Sequence, residues 1–160
     1  MALVRRFRTP DAEAVATLTV AAYGPYLLGP HDPYIARLRD VAGRDDEAEV
    51  WVAEHDGVLA GTVTWCPLGS PWREIARDDE GEFRMLAVAP AVQRRGVARA
   101  LLEHCISLAR EAGMSGMVLS TLPEQVNAHA LYVAAGFERD PTRDWSPLPG
   151  VDLLAYALRL

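Results

Sequence analysis

The run Met85-Leu86-Ala87-Val88-Ala89-Pro90-Ala91-Val92-Gln93-Arg94-Arg95-Gly96-Val97-Ala98 constrains this chain more than any other stretch, because it takes the backbone out of a strand, through a short crossing and into a helix. Beyond it Val97, Leu101, Cys105, Leu108 and Ala112 recur at helical spacing, the stripe of a long amphipathic helix seated on a core. Gly113 is a natural stop for that helix. At its start, a glycine lies between basic residues where the first N–H groups have no intrahelical partner. The positive end of the macrodipole and a residue without Cβ make such a terminus a place for phosphate. Arg94, Arg95 and Arg99 add charge there, although Arg95 and Arg99 equally suit solvated positions on an ordinary helix start.

The remaining chain alternates strands and helices around this segment. Val4 to Arg8 reads as an opening strand, and Thr9-Pro10-Asp11 starts a helix to about Tyr23 with Ala14, Val15, Leu18 and Ala22 on its apolar face. Two prolines and two glycines break the pattern between Gly24 and Pro30, and Asp32-Pro33 starts a short second helix through Ile35, Leu38 and Val41. Val50 to His55 and Val58 to Cys66 form a hairpin about Asp56-Gly57. The polar segment Pro67 to Asp79 reads either as part of a substrate entrance or as a loop at a sheet edge. A strand over Gly81 to Val88 follows. Met117 to Thr121 is apolar in succession, as in a sheet covered on both faces. A helix from about Gln125 to Ala135 ends at Gly136, Phe137 begins another strand, and Val151 to Leu160 closes the chain after the punctuated Pro141 to Gly150. The pattern predicts one domain over residues 1–160, of the α/β class: a three-layer α/β/α sandwich around a mixed sheet.

Composition narrows the function classes. Half of the 160 residues are apolar, enough for one core without disulfides or metals. The charge of −6 argues against a nucleic-acid surface and favours cationic or neutral substrates. No apolar stretch is long enough for a signal peptide or membrane span, so a cytoplasmic location and no membrane partner are expected. Cys66 and Cys105 read as buried thiols, and His31, His55, His104 and His129 lack metal-ligand spacing, so no metal is expected.

Leu86-Ala87-Val88, followed by Gln93-Arg94-Arg95-Gly96-Val97-Ala98, resembles the acetyl-CoA motif of the GCN5-related N-acetyltransferase (GNAT) superfamily. Ala130-Leu131-Tyr132-Val133-Ala134-Ala135-Gly136-Phe137 is similar to the superfamily's Leu-Tyr-x-x-x-Gly-Phe signature. The resemblance implies a mostly antiparallel sheet with a splayed central strand pair that admits the pantetheine arm of acetyl-CoA. It implies contacts from Leu86, Ala87 and Val88, with the Val88 N–H near the thioester carbonyl, and pyrophosphate on the backbone of Gln93, Arg94, Arg95, Gly96, Val97, Ala98 and Arg99. Tyr132 matches the tyrosine that protonates the departing thiolate in many members; a packed helix tyrosine is the other reading. The superfamily's cofactor-contacting asparagine falls at Gln125, with Asn127 two residues on, and either suits that contact. Glu82 stands six residues before Val88, the offset of the general base in the superfamily's histone acetyltransferases, and could instead be a solvated glutamate at a strand edge.

The acceptor side is less defined. Trp65, Trp72, Trp145, Tyr23 and Tyr26 are aromatic candidates for its wall, of which Tyr26 is taken as substrate-binding, and Arg143-Asp144-Trp145 suits a loop ordered over it. The resemblance implies acetyl transfer to a primary amine by direct attack, with a small-molecule acceptor preferred and homodimerisation compatible with the C-terminal strand. Acetylation of a peptide N-terminus or lysine, and a non-catalytic acyl-CoA sensor, are the alternatives.

Overall fold

The computed structural model describes residues 2–160. In chain order its elements are β1 (Ala2–Arg6), α1 (Ala12–Tyr23), α2 (Tyr34–Arg39), α3 (Val41–Glu47), β2 (Glu49–His55), β3 (Val58–Cys66), β4 (Glu80–Val88), α4 (Val97–Glu111), β5 (Gly116–Thr121), α5 (Val126–Ala134), β6 (Glu138–Arg139), β7 (Trp145–Leu148) and β8 (Val151–Arg159). The strands join in the order β1-β2-β3-β4-β5-β8-β6, with β7 paired to β8. Among the described residues only β4 and β5 run parallel; every other pairing is antiparallel. The sheet is mixed and mostly antiparallel, with helices on both faces, as the sequence predicts.

Strand alternation assigns the two faces. Ala53, Val63, Trp65, Phe83, Met117 and Leu119 turn toward α4 and pack with Val97, Leu101, Leu102, Cys105 and Tyr132. The opposite face carries Val50 and Val52 against Phe7, Val15, Ala16 and Val41, and Cys66 and Met85 against Leu38 and Trp72. Close seating of α4 depends on Gly61, where a Cβ would lie 2.8 Å from Val97 Cγ1 and 3.0 Å from the Ala87 carbonyl oxygen. Both cysteines are buried, and burial pushes the Cys66 thiol up to about 12.

Three elements differ in extent from the sequence reading, and one differs in the face it buries. The opening strand covers Ala2–Arg6 instead of Val4 to Arg8: the Phe7 N–H still reaches Val50 O at 2.9 Å, but the Arg8 N–H is taken by Asp11 Oδ2 at 2.8 Å. On α1, Ala14 is exposed, and Ala16 and Thr19 are buried with Val15 and Leu18. Thr19 satisfies its hydroxyl on Val15 O at 2.6 Å, which lets a polar residue join the apolar face. The second helix is broken at Asp40, which has left helical geometry and caps α3 by accepting from the Gly43 N–H at 3.1 Å. Within Pro141 to Gly150, Trp145–Leu148 forms a strand that turns back onto β8.

Candidate active site

The site begins where two neighbouring strands part. β4 and β5 pair at Glu80 with Gly116, Gly81 with Met117 and Glu82 with Val118; past that point both strands continue unpaired with each other. On its other side β4 carries an irregularity: Thr62 pairs with Ala87 and Thr64 with Arg84, so Met85 and Leu86 together oppose Val63. Met85 has φ 54°, a left-handed conformation that costs a non-glycine residue energy and bends the strand. Arg84 and Met85 consequently face the α1–α2 side in succession, while Leu86 and Val88 pack toward α4.

Register then fixes what β4 offers to the gap. Ala89 N–H donates to Ala60 O at 2.8 Å, which makes that pair a hydrogen-bonded one. Pairs of the two kinds alternate along an antiparallel ladder, so Val88, opposite Gly61, turns its N–H away from β3 and into the space β5 has left. At the same end of the gap stands the N-terminus of α4. Its first closed bond runs from Ala100 N–H to Gly96 O at 3.0 Å, so the preceding N–H groups have no partner within the helix. Gly96 has φ 79°, and a Cβ there would meet nothing within 4 Å: the turn requires glycine and the space above it is open. Gln93, Arg94, Arg95 and Arg99 are exposed, Val97 is buried and Ala98 half-buried, so the side chains that could reach an anion are the polar ones. Arg99 is partly engaged with Glu103 at 2.9 Å.

On α5, Tyr132 is buried among Phe83, Phe137 and Tyr156, with ring centroids 6.0, 6.0 and 6.1 Å away. Burial raises its phenol above the ordinary value and keeps it protonated. Tyr23, at the end of α1, is also raised, chiefly by burial. Gln125 stands at the start of α5 with Oε1 accepting from Thr121 Oγ1 at 2.9 Å and the Leu122 N–H at 3.0 Å. Its carbonyl therefore holds the turn and only its amide NH2 remains to offer; Asn127 is exposed on the first turn of the helix.

Glu82 is fully buried, in a setting unlike a solvated edge. Its Oε1 accepts from the N–H groups of Glu74, Ile75 and Ala76 at 2.9, 3.2 and 3.1 Å, tying the β3–β4 loop to the strand. Oε2 is buried without a hydrogen-bond partner among the described residues, and burial raises the carboxyl above the usual range. The same loop is gripped from the far side by Arg143, which donates to Ile75 O at 2.6 Å and to both Glu80 oxygens at 2.7 and 2.8 Å. Trp145, just beyond, donates to Ser120 Oγ at 3.0 Å and so covers β5. Trp65 packs in the α4 core, Tyr26 is exposed after α1, and Trp72 is buried against Leu38 and Met85.

Sequence reasoning missed the groups surrounding Trp72. Arg84, two residues after Glu82 on the same strand face, pairs with Glu74 at 3.2 Å, and Tyr34 and the fully buried Arg44 stand nearby. Strand alternation from Glu82 was the one signal that could have pointed to Arg84. No group of three or more histidine, cysteine, aspartate or glutamate side chains suited to a metal ion occurs among the described residues.

Comparison with known proteins agrees with this geometry. A family model described as "Acetyltransferase (GNAT) family" matches residues 12–137. N-acetyltransferase 8B of Homo sapiens is 30% identical over 115 residues, covering 64% of this chain and 49% of that one, so the chain spans about half the length of this curated relative. The ribosomal-protein-S18-alanine N-acetyltransferase of Escherichia coli superposes with a TM-score of 0.71 at 23% identity, covering 99% of this chain and 94% of that one. The structure of yncA from Salmonella typhimurium with its cofactor acetyl-CoA gives 0.70 at 23% identity, covering 100% and 94%.

Proposed function

Because the chain belongs to the acetyltransferase (GNAT) family, we propose that it transfers an acetyl group from acetyl-CoA to the primary amine of a small molecule by direct attack. The observation that carries this reading is the opening between β4 and β5 past Glu82 and Val118, with the Val88 N–H and the uncovered Gly96 turn at its mouth. Leu86, Ala87 and Val88 would line the pantetheine arm, and the turn from Gln93 to Arg99 would hold pyrophosphate on backbone N–H groups. Gln125 through its free amide NH2, or Asn127, would bind the arm from α5. The cosubstrate supplies a thioester, an acetyl group already activated for transfer.

The chain's own groups divide the remaining work. The Val88 N–H, fixed by its ladder position, stabilises the negative charge that develops on the carbonyl oxygen. Nitrogen gains the acyl carbon as the carbon–sulfur bond breaks, and the bound amine gives up one proton. Glu82 Oε2, directly or through water, receives that proton, helped by burial that makes the carboxyl more basic. Tyr132 gives its phenolic proton to the departing thiolate. The polar side chains facing the acceptor lie deep, 13% exposed at Arg84 and 16% at Glu74, which favours a small acceptor over an extended chain; Tyr26 would stand at the entrance.

Calorimetric titration with acetyl-CoA, repeated for Gly96→Glu, tests the cofactor assignment. Saturable binding by the wild type that is lost in the variant is the expected result. No binding by folded wild-type protein refutes the reading, and binding without turnover across an amine panel leaves an acyl-CoA sensor.

A further inference from the structure

Arg84 is held differently from the arginines that grip carboxylates elsewhere in the fold. Arg143 grips Glu80 with two bonds of 2.7 and 2.8 Å, Arg139 grips Asp144 with 2.8 and 2.9 Å, and Arg5 grips Asp11 with 2.8 and 3.0 Å. These are fork-to-carboxylate pairs at full strength. Arg84 comes no nearer to Glu74 than 3.2 Å, from Nε to Oε1, and reaches Trp72 O through Nη1 at 3.3 Å and Tyr34 Oη through Nη2 at 3.5 Å. Every contact is at or beyond the outer limit of a good hydrogen bond. A guanidinium with 13% of its side chain exposed thus keeps most of its donor capacity in reserve.

Its surroundings hold further unused polar capacity. Arg44 is fully buried and has no carboxylate partner: Nε donates to Thr64 Oγ1 at 3.1 Å, Nη1 to Arg37 O at 2.8 Å, and Nη2 to nothing among the described residues. Arg37, Arg84 and Arg44 all stand over Trp72, at 4.7, 5.2 and 6.0 Å from its ring centroid. The Glu74 carboxylate meets Arg84, and Glu82, two residues before Arg84 on the same strand face, spends Oε1 entirely on the loop. Buried donors left unmatched are costly, and an incoming anion would offset that cost. Glu82 Oε2 is the complementary acceptor for an amine on the same sheet face.

Resting on the acetyl-transfer reading above, we infer that the acceptor is an amino acid or a similar small molecule with a carboxylate close to its amine, and that Arg84 receives that carboxylate. Arg44 reinforces the field from behind. Glu74 is drawn partly off Arg84 and, with Tyr34, frames the acceptor. Arg84 is then a specificity-determining residue: it selects among amines by the acid they carry.

The experiment measures thiol release from acetyl-CoA with pairs of acceptors that share an amine and differ only in the acid, an amino acid beside its carboxamide. The acid is expected to exceed the amide in kcat/KM by about tenfold or more. Arg84→Gln should bring that ratio close to one, mainly by raising KM for the acid. Arg84→Lys, which keeps the charge and most of the volume, should retain part of it. Titration of the same variants with acetyl-CoA reports folding and cofactor binding separately. Equal use of acid and amide by the wild type, or a preference that Arg84→Gln leaves intact, overturns the inference while acetyl transfer stands. No thiol release with either member of any pair, from protein that binds acetyl-CoA, overturns both.

Discussion

Burial acts on Tyr132 and Glu82 in one direction and, in the reaction proposed above, would suit them to opposite tasks. It makes the Tyr132 phenol harder to ionise, so the proton needed by a leaving thiolate stays in place well into the alkaline range. It makes the Glu82 carboxylate a stronger base, while three backbone N–H groups limit that rise. Tyr132→Phe keeps the ring packed between Phe83, Phe137 and Tyr156 and removes only the proton, so kcat should fall about a hundredfold with the KM for acetyl-CoA little changed. Steady-state kinetics on the folded variant checks this; an unchanged kcat returns Tyr132 to a packing role. Glu80 behaves in the opposite sense, because the Arg143 guanidinium holds its carboxyl below the usual range. A lowered native value contributes stability above the unfolded carboxylate range, and that stability is lost as pH falls through the native value. Glu80→Gln should therefore destabilise by about 1–3 kcal/mol at neutral pH and by less in acid, as urea melts at the two pH values would report. The spacing of Tyr132 and Glu82 from the motif was legible in the sequence. That Glu82 spends one oxygen on a loop was not, because its partners Glu74, Ile75 and Ala76 are backbone N–H groups with no side-chain signature.

Elements whose signals are local could be read directly, and those set by a distant partner could not. The α4 stripe and the Asp56-Gly57 turn, with φ 52° and 77°, announce themselves in adjacent residues. The break at Asp40 is the exception, a local cap from Asp40 to the Gly43 N–H that the helical spacing of Ile35, Leu38 and Val41 concealed, whereas β7 exists because β8 is there to pair with Trp145 and Leu148. The bulge at Met85 is the extreme case: an ordinary residue is held at positive φ by the ladders on either side of it, with no glycine to mark the place. Yet this bulge, together with the seating of α4, sets the distance between the Val88 N–H and the helix N-terminus. Gly61 controls that seating. Gly61→Ala would put a methyl group 2.8 Å from Val97 Cγ1 and 3.0 Å from both the Ala87 carbonyl oxygen and Leu101 Cδ1. The Ala87 oxygen is β4 backbone and blocks the methyl from yielding toward that strand, so the contacts with Val97 and Leu101 are relieved by α4 lifting. A loss of about 1–3 kcal/mol in urea melts is expected, with weaker acetyl-CoA binding in the same variant. Destabilisation with unaltered binding would show that the helix terminus finds its place independently of β3.

At the scale of the molecule, the parting of β4 and β5 is a weakness that the core must bridge. Strand pairing across the seam ends at Glu82 and Val118, yet the cluster under α4 draws Val63, Trp65 and Phe83 from one side of it and Met117, Leu119, Phe137 and Tyr156 from the other. Shared packing of this kind makes neither half stable without its neighbour, so the described residues should unfold as one domain in a single transition. A ligand that fills the gap binds only the folded chain and replaces the missing strand contacts. At a concentration a hundred times its Kd, acetyl-CoA should add about 2.7 kcal/mol, a rise in Tm of about 5–10 °C for a chain of this size. Calorimetric scans at graded acetyl-CoA concentrations separate the possibilities. One transition moving upward as a unit means that the seam and the core are coupled, with the ligand acting on both halves. Two transitions, only the later of which responds, would mean that the β1–β4 part opens independently and that the cofactor is held by the β5–β8 side with α4 alone.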